Sequence, residues 1–399
     1  MARDAAPGVV TRRLLSLRTP AGRLDPHSIL NELREAGELL TARDGSCVAT
    51  SYSLVEQLLA SREWGMLDAA WHDRHRGGSG WREHPSLVNV VDGMLGLNEP
   101  AHARHRGTSL SALARAAVQR LRPCLEDAAD AFLDELSGGT PGTDIASTLA
   151  HRFPAFALCA LLGLPLQDHP RLADIARTVT PSHDLAPLPS QLAAADRAMG
   201  ELLTYLAEVE VPKDSLLAQL RASEPDHPDD ITTLVTIILI FAGWSTSAFL
   251  LANAVSLLAR HPEQARLLRQ SPQLVGQAVE EMLRYEPPVL IVTRQALKDT
   301  IVQGSPIRRG QIVYLLIGSA HRDPDVFADA DVFDVTRAPT RHLAFGRGTH
   351  LCIGNHLSRL EAEIIIPRLL DRFPTLTVGD VRYLPGFSFR HYSTLTLTR

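Results

Sequence analysis

The sequence predicts a mainly α-helical protein with minor β-sheet, read as a single domain over residues 1–399. Three observations lead there. Apolar residues recur at helical spacing through most of the chain. Ile231 to Ala259 runs for 29 residues without a charge. Strand signals are short and grouped.

In chain order, helical spacing covers Ser28 to Ala36, Ser53 to Ser61, Ala101 to Leu136, Phe153 to Gly163, Gln191 to Val209 and Asp214 to Ala222. The uncharged run comes next, with start signals at Pro228, Asp229 and Asp230 and a stop at Arg260-His261-Pro262. It is long enough to span a bilayer. Yet Thr232, Thr233, Thr236, Ser245, Thr246, Ser247, Asn253 and Ser256 are polar, and no other segment resembles a span. A buried central helix is the better reading, about 45 Å long at about 1.5 Å per residue. Pro262 to Arg269, Leu274 to Tyr285 and Asn355 to Phe373 complete the helices. Glu38 to Ala49 reads as a hairpin around Asp44-Gly45. Val289 to Leu316 reads as strands with turns at Gly304-Ser305 and Arg309-Gly310, and Ser388 to Leu397 alternates. Gly77-Gly80 and Pro181-Pro189 read as loops, and there is no internal repeat or obvious linker.

Composition narrows the function. Hydrophobic residues make up 45% and charged residues 21%, ordinary for a globular protein. Forty basic against forty-five acidic residues give a net charge of -5, with no basic excess for nucleic acid. The four cysteines, Cys47, Cys124, Cys159 and Cys352, form no CxxC and no disulfide scaffold, which fits a reducing cytoplasm. Met1 to Pro26 carries seven charged residues and no long apolar core, so it reads as neither signal peptide nor membrane anchor.

The most informative stretch is Phe345-Gly346-Arg347-Gly348-Thr349-His350-Leu351-Cys352-Ile353-Gly354, just before the Asn355 helix. Glycines let the backbone pass close to something flat or bulky. A helix N-terminus offers free N–H groups and partial positive charge to a thiolate. A lone thiolate so held suits a metal or a nucleophile. No paired ligands or positioned base accompany it, which argues against a zinc or cysteine hydrolase.

This stretch resembles the haem-binding loop of the cytochromes P-450, Phe-x-x-Gly-x-x-x-Cys-x-Gly. Further matches follow the family's order: Glu281-Met282-Leu283-Arg284, Pro287-Pro288, Ser319 to Pro324, and Asp331 to Arg337. The resemblance extends to Leu161 to Pro165 and Asp25 to Leu59. It implies the family fold, with the long central helix over a buried haem b. Cys352 is then the axial thiolate ligand to iron, and Phe345 belongs to the haem-binding loop. Arg337 joins Glu281 and Arg284 in a buried ion network. His102, Arg106, Arg294 and His350 hold the haem propionates, because buried carboxylates need cationic partners.

The family takes two electrons from a redox partner, splits O2 and oxidises an organic molecule, as in an EC 1.14-type monooxygenase. The resemblance assigns Ala242 and Gly243 to a kink that leaves an O2 groove, and Thr246 to proton delivery. Ser245 stands where the family usually has an acid. A serine hydroxyl is not a carboxylate relay near neutral pH. Substrate groups or waters then complete the relay, or hydrogen abstraction and radical coupling replace hydroxylation. Serine before threonine resembles family members that couple aromatic or cyclic-dipeptide substrates.

Substrate contacts are expected from Met66 to Leu97, Pro181 to Pro189, Ile238 to Ala242, Val289 to Val292 and Phe389 to Tyr392, with Trp71, Trp81 and Trp244 as stacking candidates. No flavin or nicotinamide fingerprint is present, so electrons arrive from a ferredoxin-type donor with its reductase. Arg104, Arg341, Arg347 and Arg359 are candidates to steer that donor. The second expectation is a haem-thiolate protein that binds ligands without turnover.

Overall fold

The centre of the molecule is the Thr246–Arg260 helix, in which every residue from Ser247 to Leu258 is buried. A helix with no solvated side has no place for charge, which accounts for the uncharged run. The computed structural model describes residues 6–75, 79–110, 113–139, 142–184, 187–223, 232–233, 235–236, 238–339 and 341–398. The expected start at Pro228 to Asp230 lies outside them, as does most of the glycine loop after His75.

The central helix is not uniform. Ile238–Ser245 is π-helical and becomes α-helical at Thr246. The kink that the resemblance assigns to Ala242 and Gly243 thus falls within a π-helical stretch, such as a helix uses to redirect its backbone. Ala101 to Leu136, expected as one helix, forms three: Ala101–Leu110, Arg115–Gln119 and Arg122–Gly138. The last begins with Pro123 in its first turn, where proline costs no hydrogen bond. Pro7–Ser16, Pro85–Val91 and His169–Val179 are helices that the spacing had not singled out, and each also has proline in its first turn. Proline there starts a helix, although in a short window it resembles a break.

A five-stranded sheet joins distant parts of the chain in the order Leu39–Thr41, Cys47–Ala49, Ile312–Leu316, Ile291–Ala296, Trp64–Gly65. Val48 pairs in parallel with Tyr314, and Arg294 pairs antiparallel with Val313. Arg294 thus sits on an interior strand. The expected turns appear at Gly304 and Gly310, with φ of 75° and 81°. The C-terminal strand runs Tyr392–Thr398 rather than from Ser388, and pairs with Thr377–Tyr383. Among the described residues no helix is long and apolar enough to cross a membrane.

Candidate active site

The cysteine loop is shaped by its glycines. Gly346 and Gly348 have φ of 72° and 70°, the left-handed region that side chains disfavour. A Cβ on Gly348 would also lie 2.7 Å from the Leu59 carbonyl. The loop closes where the Cys352 N–H donates to the Phe345 carbonyl at 2.9 Å. The Asn355 side chain then donates to the Cys352 carbonyl at 2.7 Å, at the start of the Asn355–Arg372 helix. Burial pushes the Cys352 thiol up, while the Gly354 and Asn355 N–H groups and the Arg106 and Arg359 charges pull it down. Burial wins, contrary to the expectation that the helix N-terminus alone favours the thiolate. A cation directly on the sulfur reverses that balance, since a coordinating thiol is deprotonated outright.

The loop rests on the ion network. Arg284 donates to Glu281 through Nε at 2.7 Å and Nη2 at 2.8 Å, and Arg337 Nε reaches Glu281 Oε1 at 3.1 Å. Glu281 and Arg284 are buried. Arg284 also donates to the carbonyls of His321 and Ala330. These carbonyls and Glu281 satisfy most of its donors, as a buried charge requires.

Cys352, Phe345 and His350 line a cavity of about 350 Å³, together with His102 and Arg106 from the Ala101–Leu110 helix, Arg294 from its strand, and Thr246. Seven of the ten expected site residues therefore converge. The His102 and His350 rings lie against each other, tilted by 37° with centroids 4.0 Å apart. Burial, then the charges of Arg294, His102 and Arg106, push the His350 pKa down to about 3. The Arg294 guanidinium is buried, bonds to the Thr293 carbonyl, and meets no carboxylate among the described residues. Burial pushes its pKa down to about 10. Arg106 is likewise lowered by burial, with Cys352 and Glu99 acting the other way. Glu99 reaches His102 Nδ1 at 3.1 Å. The set offers two guanidinium groups, one of them fully buried, and two imidazoles as hydrogen-bond donors, which suits an acidic ligand.

Ala242, Gly243 and Ser245 lie in the π-helical turn beside the cavity but are not among its described lining residues. The Gly243 α-carbon packs against Leu158, and a Cβ there would collide with that side chain. Ser245 is buried. A side chain at 243 would therefore have to displace Leu158 and crowd the Ile238 carbonyl at 3.0 Å.

None of the three candidate tryptophans is among the described lining residues of the cavity. Trp244 donates to the His151 carbonyl at 2.7 Å inside the core, Trp81 donates to Asp73 at 2.8 Å, and Trp71 stacks on His75. Cavity walls come instead from Leu87, Val91, Met94, Val292 and Phe389, with His72, His183 and Asp184 adding polarity. Four of the five expected substrate segments contribute. In the fifth segment, Ile238 to Ala242, the side chains of 239–242 lie outside those described. His72 and His183 carried no sequence signal, being lone histidines in irregular stretches.

The arginines proposed to steer a donor divide. Arg359 is paired with Glu280 and lies over the Phe345 ring at 4.3 Å, and Arg347 is paired with Glu56 at 3.1 Å. Arg104 and Arg341 are exposed. Among the described residues no group of three or more His, Cys, Asp or Glu is placed to hold a metal ion. Among the described lining residues Cys352 is the one cysteine.

A family model described as Cytochrome P450 matches residues 210–385. The chain is similar to the biotin biosynthesis cytochrome P450 of Bacillus subtilis, at 34% identity over 76% of this chain and 79% of that one. It is similar to the vitamin D3 dihydroxylase of Streptomyces griseolus, at 35% identity over 76% of each chain. Among solved structures, P450BioI in complex with an acyl carrier protein ligated to hexadec-9Z-enoic acid aligns with a TM-score of 0.83. That alignment has 29% identity and covers 95% of this chain and 99% of that one. With the fold and the relatives in agreement, the chain belongs to the cytochrome P450 family, oxidoreductases whose haem iron carries a cysteine thiolate as axial ligand.

Proposed function

We propose that this single-domain protein is a cytoplasmic monooxygenase in which Cys352 supplies the thiolate and His102, Arg106, Arg294 and His350 hold the haem propionates. The observation that carries the assignment is Arg294, a buried cation without a carboxylate, on the same cavity as Cys352. The residues fit the group: two propionates supply the missing anions, and Cys352 supplies the ligand. When bound, the haem takes electrons, activates O2 and oxidises an organic substrate, with the thiolate favouring O–O cleavage.

The chain's own residues do the rest. Phe345, held under Arg359, covers one side of the cysteine loop. Thr246 lines the cavity, and its hydroxyl, able to donate and accept at once, can hold a proton-carrying water there. Ser245 precedes it, buried in the last π-helical position, and its hydroxyl is too weak an acid to replace a carboxyl group as a proton source. Ala242 and Gly243 set the path of that turn. The apolar walls bind and dry a small organic molecule, and His72, His183 and Asp184 orient it. Electrons come from a ferredoxin-type donor with its reductase, for which exposed Arg104 and Arg341 provide steering charge.

Serine at 245 favours a second outcome at the same site, oxidative C–C or C–N coupling of an aromatic or cyclic-dipeptide substrate. Thr246 on the cavity wall argues against a protein that only binds ligands.

Protein expressed with hemin is expected to be red, with a thiolate-type spectrum that Cys352→Ala abolishes. Colourless protein, or an unaltered spectrum in that variant, overturns the assignment. A ligand screen by haem absorption shift should include cyclic dipeptides, macrolides, small aromatics and carrier-bound acyl chains. NADPH-driven loss of a tight binder with surrogate ferredoxin and reductase then separates turnover from mere binding. Product analysis separates hydroxylation from coupling, and Ser245→Glu is expected to alter hydrogen peroxide release.

A further inference from the structure

Asp184 ends the short turn that follows the His169–Val179 helix, and it is buried. The turn is fixed to its helix by two side chains: the Thr180 hydroxyl donates to the Ala176 carbonyl and the Ser182 hydroxyl to the Val179 carbonyl, each at 2.7 Å. From there the Asp184 carboxylate reaches the C-terminal tail, 203 residues away in sequence. Its Oδ2 accepts the Phe387 N–H at 2.6 Å and the Ser388 N–H at 3.0 Å. Gly386 leaves room for this approach, since a Cβ there would lie 3.2 Å from the same oxygen. A buried carboxylate needs such donors, and hydrogen bonds to a charged acceptor are stronger than neutral ones.

Both ends of this contact are cavity wall. Ser182, His183 and Asp184 line the cavity from the turn, and Ser388 and Phe389 line it from the tail. The tail is also held from a third direction. The Leu290 N–H donates to the Ser388 carbonyl at 2.8 Å, the Arg390 N–H donates to the Pro288 carbonyl at 3.3 Å, and Val289 and Phe389 form an antiparallel bridge. Pro288 and Val289 line the cavity as well. Three stretches of wall, remote in sequence, thus meet at residues 387–390. Phe389 follows the two N–H groups held by Asp184 and pairs with Val289. Its ring is therefore placed by backbone that is bonded to two different parts of the wall.

We propose that Asp184 is a specificity-determining positioning residue, which acts on the substrate through Ser388 and Phe389 by holding the turn and the tail at one separation. Ligands that reach these walls then depend on Asp184, and ligands too small to reach them do not. The proposal rests on the monooxygenase reading above, in which this cavity takes the organic substrate, so its test has an arm that needs neither haem nor turnover.

In that arm, fluorophenylalanine is placed at position 389 and followed by fluorine NMR. A single narrow resonance is expected with Asp184 present, and a split or broadened one in Asp184→Ala, where the tail is released on one flank. The same single resonance in both overturns the proposal even where haem is bound. In the second arm the haem-loaded protein is titrated optically with imidazole, which needs only the iron, and with phenylimidazole, whose ring must also fit between the walls. Asp184→Ala is expected to raise the Kd for phenylimidazole about tenfold, the low end for hydrogen bonds to a charged group, and to leave that for imidazole within about twofold. Asp184→Asn keeps an oxygen that accepts from both N–H groups, and is expected to limit the loss for phenylimidazole to about threefold, neutral bonds being about half as strong. Should Asp184→Ala fail to fold, Asp184→Asn decides: no loss for phenylimidazole overturns the role. Equal losses for the two ligands in either variant also overturn it, since they mean general loosening of the haem site. Failure of wild type to take up haem instead overturns the monooxygenase reading, and the fluorine resonance still judges Asp184.

Discussion

His321 is the link between Leu343 and the ion network: its Nε2 accepts the Leu343 N–H at 2.7 Å, and its Nδ1 faces the Arg284 carbonyl at 2.9 Å. Acceptance at one nitrogen assigns the proton to the other, so Nδ1–H is the donor. Burial, followed by the nearby His342 and Arg284, holds this imidazole well below its usual pKa, consistent with one neutral tautomer. Leu343 opens the segment that leads to Phe345 and Cys352. His321→Ala strands a buried donor and a buried acceptor, each costing about 1–3 kcal/mol. Urea denaturation is expected to show a loss of several kcal/mol, and the variant is expected to take up less hemin. Wild-type stability in this variant means that the loop is held by other contacts.

Glu281 neutralises one fully buried arginine and one partly buried arginine. Glu281→Gln leaves Arg284 uncompensated, and breaking a buried pair in this way costs about 3–5 kcal/mol. Arg337→Ala leaves the Glu281–Arg284 pair intact, and its effect is expected to be less than half as large. Equal losses in the two variants, measured by urea denaturation, refute this ranking.

Arg294 separates folding from cofactor retention. In the haem-free protein it is a buried cation with only the Thr293 carbonyl as its described partner. Arg294→Leu is therefore expected to leave the apoprotein as stable as wild type or more so. The same change is expected to speed haem transfer to apomyoglobin by about 10–100-fold, the worth of a lost charge-assisted hydrogen bond. An apoprotein that unfolds without Arg294, or haem transfer at the wild-type rate, contradicts the role.

Glu280 gives a pH signature. Burial opposes its ionisation, but hydrogen bonds from Arg359 and His342 prevail and lower its pKa from 4.5 to about 2. A depressed pKa means stability that is present above about pH 4.5 and lost as the pH falls toward about 2. Glu280→Gln is expected to cost on the order of 2 kcal/mol at neutral pH. The gap in urea midpoint between wild type and variant is expected to narrow below about pH 4.5. A gap that is constant with pH assigns the effect to packing instead.

The sequence showed chemistry more clearly than geometry. The Cys352 loop, the Glu281–Arg284 pair and Arg337 were legible because their spacing is fixed by local backbone: one glycine loop, one helical turn and one short coil. His102, Arg106 and Arg294 needed the resemblance, since nothing in their neighbourhoods says that three elements meet at one cavity. Helix periodicity ran across the breaks near Ala114 and Leu121, because an apolar face continues through a change of direction. Trp244 looked like a candidate ligand contact, but its indole N–H is bonded inside the core. Glu361 drew no attention in sequence, where a glutamate in an amphipathic run reads as a solvated face. Only packing reveals that its side of the helix is dry.

The five-stranded sheet has a consequence for how the chain is made. Cys47–Ala49 pairs with Val313–Leu315, and Trp64–Gly65 pairs with Gln295–Ala296. While the ribosome is still working, Cys47–Ala49 can pair only with Leu39–Thr41, and Trp64–Gly65 has no edge to dock on, until a point about three-quarters along the message. Pairings this remote are slow to find. The amino-terminal portion therefore emerges first and settles late, and chaperone demand during translation should concentrate there.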